Sequence, residues 1–161
     1  MLASKFILAL SILITVLIAP ALGQTNASDA SYWFDKGMAL YIQGNLTGSL
    51  DAYNKALDLN PLDAQTWNNK GIDLGVLNRY DEALNAFDKA TTLNSSYAEA
   101  WYNMGVIYDM QGDYPSAVHA YDEAIQIKPN YQKALEEKAS DEDILLGPSL
   151  SCGCSNQIPV I

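Results

Sequence analysis

Residues 98–114 read AEAWYNMGVIYDMQGDY and residues 64–80 read AQTWNNKGIDLGVLNRY, so the chain repeats one pattern of large and small side chains. The tryptophans Trp33, Trp67 and Trp101 lie 34 residues apart, and a glycine follows each of them four positions later. A fixed period of this length is typical of proteins in which one supersecondary unit stacks on the next. The sequence therefore predicts three copies of one structural unit.

Apolar residues inside each copy indicate what that unit is. They recur at the three- and four-residue spacing of a helix with one buried face, as in Tyr114, Ala117, Val118, Tyr121, Ala124 and Ile125. Between two such segments lie Gly44, Asn78 and Gly112, residue types that suit the positive φ often found where a helix ends. Each copy is thus predicted to be a helix, a turn and a second helix.

Small residues at fixed positions predict where these helices touch. A glycine inside a helix costs about 1 kcal/mol relative to alanine, so Gly71 and its counterparts need a close helix contact in compensation. We expect Gly71, Ala83 and Ala90 at such contacts, with Trp67 and Phe87 filling the space between helices. One pair of helices alone would expose its apolar face, whereas three stacked pairs bury it.

With this order of residues in three copies, the chain resembles the tetratricopeptide repeat family, whose unit is a 34-residue helix-turn-helix. The resemblance implies an all-α fold, a right-handed α-solenoid. It places the repeats at residues 30–63, 64–97 and 98–131. The expected function of such an array is to bind another protein.

The sequence after the third repeat is predicted to close the array. Residues 132–146 are expected to form a short C-terminal capping helix, with Ala134, Leu135 and Lys138 on its inner side. Residues 147–161 lose the helical period and are predicted to be a disordered tail.

The beginning of the chain forms a separate segment. Residues 1–23 combine a positive charge at Lys5, an apolar run over 6–19 and small residues before a cut after Gly23, the pattern of a secretory signal peptide. Residues 24–29 would then be a linker. The alternative is an uncleaved membrane anchor, although the apolar run is short of the roughly 20 residues of a spanning helix. No cysteine directly follows the run, which excludes a bacterial lipoprotein anchor. The sequence thus predicts a secreted, extracytoplasmic or cell-surface protein.

In the tetratricopeptide repeat family the first helix of each unit lines a concave groove. The resemblance places the partner-binding positions of this chain at Phe34, Met38, Tyr41, Asn68, Asn69, Ile72, Glu99, Tyr102, Asn103, Val106 and Asp109. About half of them are expected to touch a ligand, and the others to support neighbouring helices. Chaperone-binding members hold a C-terminal carboxylate with a clamp of Lys, Arg and Asn. Only Asn69 of that set is present here, so the resemblance does not extend to the clamp.

Residues with reactive side chains are few. His119 is the only histidine and has no Ser, Cys or carboxylate at a motif spacing, so we predict no catalytic site, no metal and no cofactor. Cys152 and Cys154 lack the two further ligands that a zinc site needs, which leaves an idle tail or pairing between chains. Three glycosylation acceptor triplets are candidate modification sites, at Asn26, Asn45 and Asn94.

Charge and groove chemistry together predict the partner. The chain has 161 residues, with 9 Lys and Arg against 19 Asp and Glu, and its net charge of −10 repels phosphate backbones, so nucleic acid is excluded. Apolar and aromatic groove positions beside Glu99 and Asp109 predict an apolar segment that carries Lys or Arg. Contact with a membrane is expected only if the signal segment stays uncleaved.

We therefore predict a non-enzymatic, extracytoplasmic scaffold that binds a segment of another protein. The alternatives are a self-assembling structural component of the cell envelope, formed as a homo-oligomer, and an accessory subunit of an exported enzyme complex. All three would use the same apolar surface, so the sequence does not separate them.

Overall fold

The computed structural model describes residues 29–147, and within that range the chain forms seven α-helices and no strand. The helices are α1 (Ala30–Ile42), α2 (Leu46–Leu59), α3 (Ala64–Val76), α4 (Tyr80–Leu93), α5 (Ala98–Met110), α6 (Tyr114–Ile127) and α7 (Gln132–Leu146). The predicted all-α repeat fold is confirmed. The predicted signal peptide and the cysteine pair lie outside the described residues, as does most of the predicted linker and tail.

Tight turns join the two helices of each pair. Gly44, Asn78 and Gly112 have φ angles of 77°, 58° and 74°, which confirms the positive φ expected at these positions. Beyond two of the turns, side chains cap the next helix: Asn45 accepts a hydrogen bond from the Gly48 amide, and Asp113 accepts one from the Ser116 amide. These caps satisfy amide groups that the first turn of a helix leaves free.

A glycine and an aromatic ring form the closest contact inside each helix pair. A methyl group added at Gly71 would lie 2.6 Å from Cε1 of Phe87, closer than side chains ever pack. The same contact recurs between Gly37 and Tyr53 and between Gly105 and Tyr121, at 2.5 Å in both cases. The glycines are therefore required by close helix approach, as predicted for Gly71.

A continuous core joins the stacked helix pairs. Buried side chains from α2 to α6 form one cluster, which comprises Leu50, Leu74, Ala83, Ala86, Phe87, Met104, Ile107 and Ala120. Members of this cluster come from all three pairs, and a second cluster around Tyr121 joins the third pair to α7. Burial across the pairs is the main stabilising term of such an array.

The capping helix α7 covers the exposed side of α6. Ala134 is fully buried in a cluster with Tyr121, as predicted, and Lys138 makes an ion pair of 2.7 Å with Asp122 of α6. The prediction for Leu135 is wrong, because 38 % of this residue is exposed. The inner stripe instead continues to Asp141, which is 3 % exposed. In the part of the chain that the structure describes, no helix is long and apolar enough to cross a bilayer.

Candidate functional site

The first helices of the three pairs lie side by side and form one surface, which we call the groove. Helix α1 contacts α3, and α3 contacts α5, while the second helices lie behind them. Close packing of the glycines against the aromatic rings draws each second helix up to its partner. The rings of Tyr53 and Phe87 therefore reach the bottom of the groove.

The first pocket of the groove lies between α1 and α3. It has a volume of about 230 Å³, and its walls are Met38, Tyr41 and Ile72. Its base is formed by Tyr53, Asn69 and Asp73. Met38 and Tyr41 are exposed at the rim, so an apolar side chain of a partner can enter from solvent.

The second pocket lies one repeat further along, between α3 and α5. It has a volume of about 150 Å³, and its lining residues are Ile72, Gly75, Val76, Phe87, Asn103, Val106, Ile107 and Met110. Ile72 belongs to both pockets and forms the wall between them. A single extended or helical segment laid along the groove would thus meet two apolar pockets in succession.

The two pockets are built from equivalent positions but differ at their bases. Residues 34 apart in the sequence line them: Asn69 and Asn103 correspond, and so do Tyr53 and Phe87. The residue below the ring is Asp73 in the first pocket and Ile107 in the second. The first base is therefore polar and acidic, whereas the second is apolar.

Asp73 is a buried acid within this first pocket. Only 1 % of the residue is exposed, and its Oδ2 atom has no hydrogen-bond partner among residues 29–147. Burial raises the pKa of the carboxyl group, while a hydrogen bond with Ser49 acts in the opposite direction. Ser49 itself donates to the backbone oxygen of Gly37 at 2.8 Å. The one hydroxyl hydrogen of Ser49 is therefore used by Gly37, and Oδ2 of Asp73 stays without a hydrogen-bond partner among the described residues.

The same ring and acid combination recurs between α5 and α7. Tyr121 is fully buried and stands where Tyr53 stands in the first pair, and Asp141 of α7 occupies the position equivalent to Asp73. Burial, the charge of Asp109 and a hydrogen bond with Asp109 raise the pKa of Asp141 to about 6. Here the capping helix packs against α6, and Asp109 of α5 is the hydrogen-bond partner of the acid.

The predicted groove residues fall into three groups by exposure. Met38, Tyr41 and Glu99 are exposed; Phe34, Asn69, Ile72, Tyr102, Asn103, Val106 and Asp109 are partly buried; Asn68 is buried. Six of them line the two pockets: Met38, Tyr41, Asn69, Ile72, Asn103 and Val106.

The other predicted residues serve mainly to hold helices together. Asn68 is only 4 % exposed and accepts a hydrogen bond of 2.9 Å from Asn103, so it belongs to the residues that support neighbouring helices. The Tyr102 ring lies 5.7 Å from that of Tyr121 and 5.1 Å from that of Tyr131, so it supports the packing of the third pair. Phe34 packs against Tyr53 in the same way, with ring centres 6.1 Å apart.

The two acidic groove residues that were expected to attract a basic partner, Glu99 and Asp109, interact with other side chains of this chain. Glu99 forms an ion pair of 3.3 Å with Lys128, and both side chains are about half exposed. Asp109 shares a hydrogen bond with Asp141. The acid that remains without a cation at a pocket is Asp73, which the sequence pattern did not identify as a site residue.

Other candidate residues lie outside the two pockets. Asn45 and Asn94 are exposed, but their side chains accept backbone hydrogen bonds from Gly48 and Ser96 in the turns. Asn26 lies outside the described residues. His119 is exposed on α6, and residues 29–147 contain no group of three or more His, Cys, Asp or Glu placed to hold a metal ion.

Sequence reasoning missed the bases of both pockets. The sequence predicts Phe87 between the helices, which is correct for most of its side chain, but it does not predict that Tyr53, Phe87 and Ile107 also border the pockets. The signal that would have found them is the comparison of copies: where the ring is tyrosine the facing residue is Asp, and where it is Phe87 the facing residue is Ile107.

Comparison with known proteins bears on the fold. Family models for the tetratricopeptide repeat match residues 30–63 and 98–131, and a TPR repeat model matches residues 77–112, which together cover more than half of the chain. No curated protein gave a significant match.

Solved structures with the same architecture include three that cover most of the helices. The first TPR of Spaghetti (RPAP3), solved with the HSP90 peptide SRMEEVD, has a TM-score of 0.72 and 22 % identity over 76 % of this chain and 97 % of its own. MamA has a TM-score of 0.69 and 23 % identity over 73 % of this chain and 69 % of its own. YrrB, a TPR protein with an unusual peptide-binding site, has a TM-score of 0.66 and 28 % identity over 69 % of this chain and 57 % of its own.

Proposed function

Because the chain belongs to the tetratricopeptide repeat family, we propose that it is an interaction module that binds a segment of another protein in the groove. The observation that carries this proposal is the pair of adjacent pockets on the first helices, which share Ile72 as their common wall. Apolar pockets with a few polar groups are the usual form of a recognition site. Catalysis by this chain forms no part of the proposal.

The partner segment is proposed to be amphipathic and basic. Exposed apolar side chains such as Met38, Val76 and Met110 supply contact area that gives affinity through burial. The net charge of −10 attracts cationic groups and repels acidic ones. RPAP3 was solved with a peptide that ends in Glu, Glu, Val and Asp. This chain keeps only Asn69 of the family's carboxylate clamp, so we propose that such an acidic peptide does not bind in the groove.

We predict that short amphipathic peptides with Lys or Arg bind the purified protein more tightly than SRMEEVD in isothermal calorimetry. Because the attraction is partly electrostatic, the affinity should fall several-fold as the salt concentration rises from about 0.05 to about 0.5 M. Met110→Ala, which removes an exposed wall of the second pocket, should weaken binding further. Leu93→Ala, an exposed apolar change outside both pockets, is the matched control. Equal binding of the acidic peptide, or equal losses for the two variants, would contradict the proposal.

Location outside the cytoplasm is a second part of the proposal. Its support is the sequence of residues 1–23, with a positive start, an apolar run and small residues before Gly23. Mass spectrometry of the protein isolated from a cell envelope or medium fraction should find a chain that starts near Gln24. Recovery of the intact segment in the exported protein would contradict cleavage.

Self-assembly is a second candidate function, favoured by exposed apolar side chains on α7. Leu135, Ile144, Leu145 and Leu146 of this last helix are between 38 % and 58 % exposed. Sedimentation at several concentrations separates the two functions. A concentration-dependent oligomer that excludes peptide would favour assembly, and a monomer that binds peptide would favour the groove.

A further inference from the structure

The base of the first pocket contains a buried acid with an oxygen atom that lacks a hydrogen-bond partner among residues 29–147. Asp73 is 1 % exposed and lines the pocket, and its Oδ2 atom has no partner among the described residues. Buried polar atoms in proteins are almost always hydrogen-bonded, because a buried unpaired group loses its hydration without compensation. An exception that borders a solvent-open pocket points to a ligand group that completes it.

The second pocket provides an internal reference for this observation. At the equivalent positions it has Phe87 and Ile107, and all the groups at its base except the Asn103 amide are apolar. The helix contacts are the same in both places, since Gly37 packs on Tyr53 as Gly71 packs on Phe87. The fold itself therefore does not require an acid at this position. The acid distinguishes the first pocket from the second.

We propose that the first pocket binds a lysine side chain of the partner segment, whose ammonium group donates to Asp73, and that the second pocket takes an apolar side chain. This inference rests on the proposed function of the groove. Met38, Tyr41 and Ile72 would line the four-carbon stem, and Asn69 lies at the base as an additional polar group. The partner is thereby defined by two adjacent positions, one basic and one apolar.

The geometry favours lysine over arginine. A guanidinium group binds a carboxylate best when two parallel hydrogen bonds engage both carboxylate oxygens. Asp73 lines the pocket, and the one carboxylate oxygen that is buried without a partner among the described residues is Oδ2. A compact ammonium group needs only one such contact together with nearby dipoles.

Binding is coupled to the ionisation of the acid. Burial raises the pKa of the Asp73 carboxyl group, and a cation placed beside it lowers that pKa again. The ammonium group of the ligand therefore stabilises the carboxylate, and a carboxyl group that was protonated releases its proton to solvent. The pKa of the Asp73 carboxyl group therefore reports directly on binding at this pocket.

The test uses two small probes with side chains of nearly the same length, N-acetyl-lysine N-methylamide and N-acetyl-norleucine N-methylamide. Each is titrated into the isotopically labelled full chain, and carbon NMR follows the Asp73 carboxyl and the Ile72 methyl groups. We expect the lysine probe to bind at this pocket at least about tenfold more tightly than the norleucine probe. Only the lysine probe should lower the pKa of Asp73.

A double variant transfers the base of the second pocket to the first. Tyr53→Phe with Asp73→Ile creates the combination that already packs beneath α5, so the fold should be retained. We expect this variant to lose the preference for the lysine probe and to bind the norleucine probe more tightly. Asp51→Asn removes an exposed acid from the neighbouring face of α2 and controls for the change in total charge.

Each outcome has a definite meaning. Equal affinity of the two probes, an unchanged Asp73 pKa, or a water molecule as the only group that meets Oδ2 would overturn the inference. If the double variant does not fold, the two probes and the Asp73 pKa of the unmodified chain still decide. Amphipathic peptides that bind the groove without a lysine preference would refute the inference alone. Failure of all such peptides would refute the proposed function as well.

Discussion

Gly71→Leu is expected to lower the free energy of unfolding by about 3 kcal/mol or more, the largest effect that we predict for a single substitution. The first added carbon atom would lie 2.6 Å from the Phe87 ring, which is itself 1 % exposed. The ring is rigid and belongs to the shared core, so a leucine at this position must displace the ring or separate α3 from α4. Chemical denaturation of the purified variant measures the loss.

Gly75→Ala in the same helix is the matched control. A methyl group there would lie 2.8 Å from Cδ1 of Ile107, the flexible end of a side chain that can rotate away. Replacing a helical glycine by alanine also gains about 1 kcal/mol of helix propensity. We therefore expect a change of no more than about 1 kcal/mol for Gly75→Ala. If the two variants lost similar stability, the close contact of Gly71 with Phe87 would not be the reason for glycine at this position.

The glycine contacts show which part of the fold the sequence is sufficient to predict. Gly37, Gly71 and Gly105 recur at one position, and each needs a close neighbour to offset its cost in a helix. Because the period is fixed, one such argument applies to all three copies. The turns at Gly44, Asn78 and Gly112 follow for the same reason, since the helix ends there in every copy.

The pockets were less predictable because they depend on how far each side chain reaches between helices. Spacing places Asn68 and Tyr102 on the groove side of their helices, but it does not tell which neighbour they meet. Asn68 accepts a hydrogen bond from Asn103 of the next repeat, and the Tyr102 ring packs between the rings of Tyr121 and Tyr131. Such contacts are set by the stacking of repeats, which a pattern within one helix does not contain.

Buried acids are the clearest departure of this chain from its own repeat. Asp73 and Asp141 stand at equivalent positions two repeats apart, each near a buried tyrosine, while the copy between them has Ile107. Burying a carboxyl group opposes its ionisation, so both positions make the folded chain hold a proton more tightly than the unfolded chain does. These two groups should therefore contribute stability that is present at low pH and lost as the pH rises, opposite in direction to most acidic groups.

The second large effect is expected at Asp141. Its folded pKa is about 6, above the value of about 4 for an unfolded chain, so the stabilisation is complete below about pH 4 and is lost as the pH rises through about 6. A difference of this size corresponds to about 3 kcal/mol. The groups that face Asp141 are Asp109 of α5, Tyr121 of α6 and Glu137 of α7 itself. Burial, Asp109 and Glu137 disfavour a negative charge at Asp141, while Tyr121 is a neutral neighbour.

Asp141→Asn should remove the loss of stability at rising pH, because an amide does not ionise. The amide can also donate a hydrogen bond to Asp109, as the protonated acid does. We expect the variant to be more stable than the unmodified chain by about 2 to 3 kcal/mol at neutral pH and nearly equal to it at about pH 4. Urea denaturation across this range measures the difference, and amide hydrogen exchange locates it in α7. Asp143→Asn, an exposed change on the same helix, is the control and should shift stability by less than about 0.5 kcal/mol. A stability gap for Asp141→Asn that is constant with pH, or a variant that is less stable at neutral pH, would mean that the capping helix is not held by a protonated acid.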